Sequence, residues 1–341
     1  MDSPEIDNRT EFVVHPHVLL ERDGEKLVTL VKATYEEGAT GMLQVAAVQR
    51  PLRFADEPWG DPLTTPPKYQ SDVCGQKPGT DVIIVAKGYA PPGRPVTSFD
   101  VAARVGPLQK ALRVFGLRVW TEDGAGLTAP LALSEEEIRY DHAFGGLDAS
   151  DPGDVREEPR NPVGCGVTRD SKRLTHERAP SIEDPREPIR SARDKPAPAG
   201  LGAIGPHWAP RRHHAGTMDA RWHREQAPLL PLDRDDRANL CASPGLTASP
   251  PLAGGEQVAL MNLVPGGGLL QFVLPKLRLT IKQTAREQTL THVPHLDTVL
   301  IDTLAPEAPS RVTVELVWRA IARAPRRMRD LRLRVRAEQV P

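Results

Sequence analysis

The sequence lacks the features that mark secreted, disulfide-linked and membrane-spanning proteins. Its three cysteines, Cys74, Cys165 and Cys241, are odd in number and far apart, and no C-x-x-C pair occurs. This usage does not suit a disulfide framework and fits a reducing compartment. The first residues, MDSPEIDNRTEF, hold no basic and apolar leader, and no apolar run reaches the roughly 18 residues of a membrane helix. We therefore expect a cytoplasmic protein that has no membrane partner.

An excess of charge of either sign is also missing. The chain has 44 basic and 45 acidic residues and a net charge of -1, so no domain-wide basic field favours nucleic acid as a partner. The segment Arg323–Arg336 is locally basic, but its arginines alternate with apolar residues. We interpret it as a strand with a solvated arginine face, and a binding site for a polyanion is the lesser alternative.

The usual signatures of catalysis are absent as well. No G-x-x-x-x-G-K-[ST] loop, G-x-S-x-G elbow or H-E-x-x-H helix occurs. Gly164-Cys165-Gly166 resembles an exposed nucleophile on a tight turn, but the thiol would need a base such as His142 or His176 beside it. A small residue in a turn that glycine permits is the simpler interpretation. We expect no enzymatic activity and no cofactor.

Proline is abundant, at 35 of 341 residues, which is about twice its usual frequency and leaves little room for long helices. Short apolar or alternating runs, bounded by Gly and Pro, predict strands instead. Ser134 and Glu137 form a capping box that predicts one short helix, and Pro306 and Pro309 predict a turn between two late strands. The predicted strands are Leu27–Tyr35, Met42–Val48, Asp81–Ala86, Val96–Val105, Val114–Trp120, Gln257–Val264, Leu269–Leu274, Leu277–Gln283, Gln288–Val293, Leu296–Asp302, Val312–Trp318 and Leu331–Val335.

These strands predict an all-β fold, with antiparallel sheets in a sandwich or barrel-like arrangement, a long irregular central segment and few short helices. A parallel α/β sheet is not expected, because no long helices separate the strands. Residues 1–322 are interpreted as a single β-rich domain, which can divide into halves 1–139 and 250–322 joined by loop-rich residues 140–249. Residues 323–341 form a basic C-terminal strand.

The segment Gly200–Asp233 holds two of the five tryptophans and four of the ten histidines among many Gly and Pro residues. It is too aromatic for disorder, so we expect an ordered and winding segment. Its histidines offer a metal site, since zinc takes three or four N, S or O ligands, but their intervals match no zinc motif. Exposed or packing histidines are the preferred interpretation, and no metal is expected. The four are His207, His213, His214 and His223.

An ordered series of motifs resembles a known bacterial family. Tyr140–Gly146 (YDHAFGG), Asn161–Gly166 (NPVGCG) and Gly216–Trp222 (GTMDARW) carry the resemblance most clearly. The family is a domain of unknown function found in type VI secretion gene clusters, and its members are thought to be effector adaptors or chaperones. Other stretches of the series are Lys32–Thr34, Lys77–Ala90, Gly106–Lys110, Gly116–Trp120, Pro198–Pro206, Trp208–Arg211, Pro228–Asp233, Gly254–Glu256 and Asp297–Val299.

The resemblance implies a role and no reaction. Such a protein would hold a type VI secretion effector, which can bear a PAAR-like module, and help to load it onto the spike protein. Trp and Arg are enriched at interface hot spots, although tryptophans that pin the loop to the sheet are an equal alternative. Two other functions stay open: a metal-dependent hydrolase built on the histidines of 207–223, and a structural component of the spike tip. The candidate contact residues are Trp59, Trp208, Arg211, Arg212 and Trp222.

Overall fold

The computed structural model describes residues 4–93, 95–286, 288–304 and 310–340. These residues form mainly β-strands, together with the short helices α1 (Ala209–Arg212) and α2 (Ala220–Glu225) and a few 3-10 turns. The strands are β1 (Glu5–Asn8), β2 (Val13–Glu21), β3 (Gly24–Glu37), β4 (Leu43–Val45), β5 (Glu57–Pro58), β6 (Pro67–Tyr69), β7 (Thr80–Val85), β8 (Lys87–Tyr89), β9 (Ser98–Val105), β10 (Leu108–Phe115), β11 (Glu135–Glu137), β12 (Phe144–Gly145), β13 (Leu147–Asp148), β14 (Arg156–Glu157), β15 (Cys165–Gly166), β16 (Ile182–Glu183), β17 (Thr247–Ala248), β18 (Gln257–Met261), β19 (Leu269–Val273), β20 (Leu277–Ala285), β21 (Gln288–His292), β22 (His295–Asp302), β23 (Thr313–Arg323) and β24 (Leu331–Gln339).

The largest sheet has the strand order β17-β7-β22-β23-β3-β2, with β4 paired to the end of β3. Neighbouring strands are antiparallel except β7 and β22, which run parallel with Thr298 opposite Asp81. The middle strands are covered on both faces, and every residue of β7 is buried. Double burial explains why β7 and β3 appear in the sequence as continuous apolar runs without alternation.

A second sheet, in the order β16-β10-β9-β18-β19, is antiparallel throughout. On β9 the alternation predicted from the sequence is confirmed, because Phe99, Val101, Ala103 and Val105 are all buried. They share one hydrophobic core with residues of the largest sheet, Val82 among them. None of the described sheets closes on itself. The predicted all-β fold is therefore confirmed, and of its two predicted arrangements the structure has the sandwich-like one.

A third sheet has the order β1-β24-β20-β21, in which β1 runs parallel to β24. Leu331, Leu333 and Val335 on β24 are buried in the main core. The arginines between them lie on the opposite face. The predicted strand Leu331–Val335 therefore forms as part of β24, whereas the predicted basic strand 323–341 is shorter, because Arg323 ends β23 and residues 324–330 connect the two strands.

Buried charges line the outer face of the largest sheet, beneath the covering segment 50–77. Lys32, fully buried on β3, lies 2.9 Å from Asp72 and 2.8 Å from Glu315 on β23. Arg53 and Arg50 also contact the Glu315 carboxylate, at 2.6 and 3.1 Å. Burial by itself would raise the pKa of Glu315, but the hydrogen bonds from Arg53 and the charge of Lys32 outweigh burial and lower that pKa to about 2.

A second buried set holds the other end of the covering segment. The Lys77 ammonium lies 2.9 Å from Asp81 and donates to Thr298 at 2.9 Å. Arg319 pairs with Asp297 at 2.5 Å and donates to backbone carbonyls of the covering segment. Buried charges need partners of this kind, because removing an unpaired charge from water destabilises the folded state by roughly several kcal/mol. Charged side chains thus fasten the covering segment to the sheet beside a small apolar cluster in which Leu52 packs with Leu30 and Val317.

Two predicted elements are wrong. The short helix predicted after Ser134 is strand β11, because the backbone of Glu135–Glu137 pairs with Lys87–Tyr89 and this tertiary pairing outweighs the capping signal. The strand predicted at Val114–Trp120 ends at Phe115, where the chain leaves the sheet. The predicted strand at Met42–Val48 is shorter, and the predicted turn residues Pro306 and Pro309 lie outside the described residues.

Both larger sheets combine strands from the two ends of the chain. Strand β7 pairs with β22, and β9 pairs with β18.

Among the described residues, no helix is long and apolar enough to cross a membrane.

Candidate partner-binding surface

Trp208, the residue immediately before helix α1, anchors the central segment, which we define as residues 140–249. Its indole is 1% exposed and packs edge-on against Tyr140, with ring centroids 5.2 Å apart. Arg211, one turn later, donates to the carbonyls of Ile204 and Ala238. These contacts close the segment 204–238 onto itself around one buried aromatic pair.

A second set of hydrogen bonds shapes the loop that follows. Asp219 caps helix α2 by accepting from the Trp222 amide at 2.8 Å, and the Trp222 indole donates to the Leu229 carbonyl at 2.9 Å. Asp233 accepts from the amide of Thr217 at 3.0 Å and from its hydroxyl at 2.7 Å. Residues 217–233 therefore form a closed loop with a defined shape.

Arg22, on the turn between β2 and β3, ties this loop to the largest sheet. Its guanidinium donates to the Gln226 side chain at 2.6 Å and to the Leu230 carbonyl at 2.9 Å. An open cavity of about 650 Å³ lies between that turn, residues 230–236 and the end of β23. We call this cavity the groove.

Three leucines give the groove an exposed apolar lining. Leu20 is 57% exposed, Leu230 48% and Leu232 72%. Their neighbours on the rim are charged residues of both signs. Apolar side chains rimmed by charge are typical of a protein-interaction site, whereas single exposed leucines elsewhere carry no such meaning. The charged rim comprises Glu21, Arg22, Asp23, Lys26, Arg234, Asp236 and Arg323.

None of the five contact residues chosen from the sequence lines the groove. Trp208 is buried and Arg211 is engaged with backbone carbonyls, so neither presents a free surface to a partner. Arg212 is exposed, and Trp222 is half-buried beside His223. Trp59 lies elsewhere, with the Lys68 ammonium and the Arg139 guanidinium each 4.9 Å from its ring. The sequence signal for the groove that was missed is the pair Leu230 and Leu232 within Pro228–Asp233 (PLLPLD).

The four histidines of the central segment do not form a metal centre in the described part of the chain. His207, His213 and His223 are exposed and His214 is half-buried. Across residues 4–93, 95–286, 288–304 and 310–340, no three His, Cys, Asp or Glu side chains are placed to hold a metal ion together. The hydrolase alternative therefore gains no support from their arrangement.

Cys165 sits on strand β15, which pairs with β12. Burial raises the pKa of its thiol to about 12, so the thiol is protonated at neutral pH. His142, named from the sequence as a base for it, instead has its Nδ1 atom 2.7 Å from the carboxylate of Glu136. Cys165 is therefore a half-buried residue on a short strand rather than in the predicted turn, and no base lies beside its thiol in the described geometry.

Lys110, Ser243 and Tyr140 meet beneath the central segment. The Lys110 ammonium donates to the Ser243 hydroxyl at 2.6 Å, and the Tyr140 hydroxyl lies 2.6 Å from the same oxygen. Burial lowers the pKa of Lys110 to about 8, which would suit a base beside a nucleophile. Ser243, however, is fully buried and donates to the Gly200 carbonyl at 2.7 Å. The three residues therefore fasten the central segment to β10.

The motif residues Asn161 and Gly145 are also structural. The fully buried Asn161 amide donates to the carbonyls of Tyr140 and Phe144, at 2.8 and 2.9 Å. Gly145 has φ +154, and a Cβ there would lie 2.2 Å from the Asn161 carbonyl oxygen, so no other residue fits. Asn161 and Gly145 thus fix the backbone conformation of the loops around Tyr140 and Phe144.

A protein-family model matches most of the chain. The family model described as "Uncharacterized protein conserved in bacteria (DUF2169)" matches residues 22–319. No curated protein and no solved structure matches the chain. The match agrees with the resemblance to a bacterial domain of unknown function, while the link to type VI secretion stays a prediction.

Proposed function

The chain belongs to the bacterial family of uncharacterized proteins DUF2169, and from that premise we propose that it is a non-enzymatic adaptor or chaperone. Its partner would be a type VI secretion effector, with or without a PAAR-like module, which it helps to load onto the spike protein. The observation that carries the proposal is the groove, because its leucines remain exposed although the surrounding loops are closed by hydrogen bonds.

The construction of the groove supports a binding role. Arg22, Thr217 and Asp233 hold its walls through side-chain hydrogen bonds. A wall that is ordered before binding loses little conformational entropy when a partner docks, and this favours affinity. Leu230 and Leu232 then supply apolar area, and the charged rim would restrict which partners fit.

The roles of the motif residues support the same proposal. Tyr140, Asn161 and Ser243 are buried and hydrogen-bonded to the loops around them. Residues that maintain a loop scaffold fit a protein whose work is recognition, since binding residues are commonly carried on loops positioned by a rigid core.

The test is co-purification with the toxin encoded beside this chain. We expect the double variant Leu230→Glu/Leu232→Glu to lose the toxin, because two carboxylates would enter an apolar contact. The matched control is Leu63→Glu/Leu131→Glu, at two leucines that are 85% and 60% exposed and do not line the groove. The control should retain the toxin at the wild-type level.

Deleting the gene should lower the level of the toxin in cells and its secretion. An unchanged toxin level and unchanged secretion would contradict the adaptor function. Recovery of this chain in the secreted fraction, at a fixed ratio to the spike, would favour the alternative that it is a component of the spike tip.

A further inference from the structure

The outer face of the sheet β1-β24-β20-β21 concentrates positive charge. Residues 323–336 contain seven arginines and one aspartate, a net charge of +6 in a chain whose total is -1. Arg332, Arg334 and Arg336 follow one another along one face of β24, about 7 Å apart for a two-residue step. Their neighbours on β20 include Lys282, directly opposite Arg334.

Strand β1 shows which chemistry this face accepts. It is a short acidic strand that lies parallel to β24, with Glu5 opposite Arg332 and Asp7 opposite Arg334. The carboxylates meet the guanidinium groups at 2.8 and 2.6 Å. An extended segment with a carboxylate at every second position therefore matches the spacing of these arginines.

Several positive charges of the face remain unmatched beyond β1. Arg278, Lys282 and Arg336 form no ion pair with any residue in the described ranges. Lys282 and Arg334 are directly opposite across the strand pair, and like charges in that position destabilise a sheet. Added carboxylates would relieve this repulsion.

Three further arginines surround a cavity at the end of the sheet. Arg286, Arg326 and Arg327 are exposed and line a space of about 480 Å³ together with Asp330. Within the part of the chain that is described, none of the three has an ion-pair partner. The cavity extends the positive surface past the ends of β20 and β24.

We infer that the arginine face of β24 and β20, together with this cavity, docks an extended segment of another protein that is rich in Asp and Glu. We call it the basic sheet surface. A nucleic acid fits it less well, because the two-residue spacing of the arginines along β24 matches alternate side chains of an extended polypeptide, as β1 shows. The described residues of the face also include no aromatic side chain on which a base could stack.

The basic sheet surface shares no lining residue with the groove and does not depend on the proposed function. Strands β1 and β24 lie outside residues 22–319, the range matched by the family model. The two sites are neighbours, because residues 321–323 line the groove and residues 325–327 line the cavity.

Binding is tested with a fluorescent synthetic peptide of about ten alternating Glu and Thr residues, a Lys–Thr peptide and a single-stranded DNA of roughly 20 nucleotides, a length above the site of one binding fold. The variant is Arg286→Gln/Arg326→Gln/Arg327→Gln. The matched control, Arg173→Gln/Arg190→Gln/Arg193→Gln, removes the same charge from exposed arginines of the segment 168–198. Circular dichroism verifies that both proteins are folded.

We expect the Glu–Thr peptide to bind and its affinity to fall as salt is raised. The cavity variant should weaken binding about tenfold, as expected when several charge pairs are lost, and the control should not. Three results would overturn the inference: no binding of the acidic peptide, equal binding by variant and control, or tighter binding of the DNA with the same dependence on the three arginines. None of them depends on recovery of an effector.

Discussion

Charged side chains inside apolar strands were the least predictable residues of this protein. The run Leu27–Tyr35 predicts a buried strand, and that prediction is confirmed, but its single Lys32 gave no indication of its partners. Asp72 and Glu315 lie 40 and 283 positions away along the chain. Such pairs cannot be derived from periodicity, because only the fold brings them together. The detectable signal is a lone charge within a continuous apolar run.

Glu315→Gln should lower the free energy of unfolding at pH 7 by about 3–5 kcal/mol, since it leaves buried cations without their common partner. The pKa of Glu315 is about 2 against an ordinary value of 4.5. Because the pKa is lowered on folding, this carboxylate stabilises the protein fully above pH 4.5 and loses that effect as pH falls toward 2. Urea unfolding at pH 7, 4.5 and 3 measures both effects.

The variant should therefore show a shallower loss of stability between pH 4.5 and 3 than the wild type. Glu225→Gln is the control, because Glu225 pairs with Arg221 on the surface at 53% exposure. Its effect should stay within about 0.5 kcal/mol. Equal destabilisation by the two substitutions would contradict a central role for Glu315.

At the scale of elements, hairpins with clear alternation were predictable and irregular segments were not. Strands β9 and β20 show the alternating burial of their sequence patterns, because period-2 burial is a local property. The predicted hairpin of β20 and β21 also forms, although β21 is exposed along most of its length. The capping box at Ser134 misled, since pairing with β8 decides the conformation there. The groove could not be predicted, because its walls come from β2, β23 and the central segment.

The loop 217–233 should depend on Asp233 for its order. Asp233→Ala removes the bonds to the Thr217 amide and hydroxyl. We expect amide hydrogen exchange in residues 216–235 to speed up about tenfold while Tm changes little, because the loop lies outside the main core. Exchange is read by mass spectrometry of the native protein.

Asp151→Ala is the control, since Asp151 pairs with Arg169 in a different surface loop. It should leave exchange in residues 216–235 unchanged. If Asp233→Ala leaves it unchanged as well, the groove wall is held by other contacts. A faster loop with weaker toxin retention would connect the order of this element to binding.

At the scale of the whole molecule, strand β24 is a part of the core rather than a removable tail. Leu331, Leu333 and Val335 are at most 1% exposed, and they share the main core with Leu279 and Ile281 of the neighbouring strand β20. Burial of three such side chains contributes about 5–9 kcal/mol, which is comparable to the total stability of a typical protein of about 5–15 kcal/mol.

Removing residues 324–341 should therefore abolish cooperative unfolding or cause aggregation. Removing residues 1–9 is the control, because the side chains of β1 are mostly exposed. The protein lacking residues 1–9 should unfold cooperatively, with a modest decrease in Tm. Calorimetry compares the two, and a cooperative transition near the wild-type Tm in the protein lacking residues 324–341 would contradict this prediction.

The position of β3 in the largest sheet has a consequence for folding during translation. Its inner neighbour is β23, with Leu30 opposite Arg319. On a ribosome that adds about 5–20 residues per second, the β2–β3 hairpin waits for tens of seconds with an apolar edge open. The core, which needs β22 and β23 beside β7 and β3, can therefore form only near the end of synthesis.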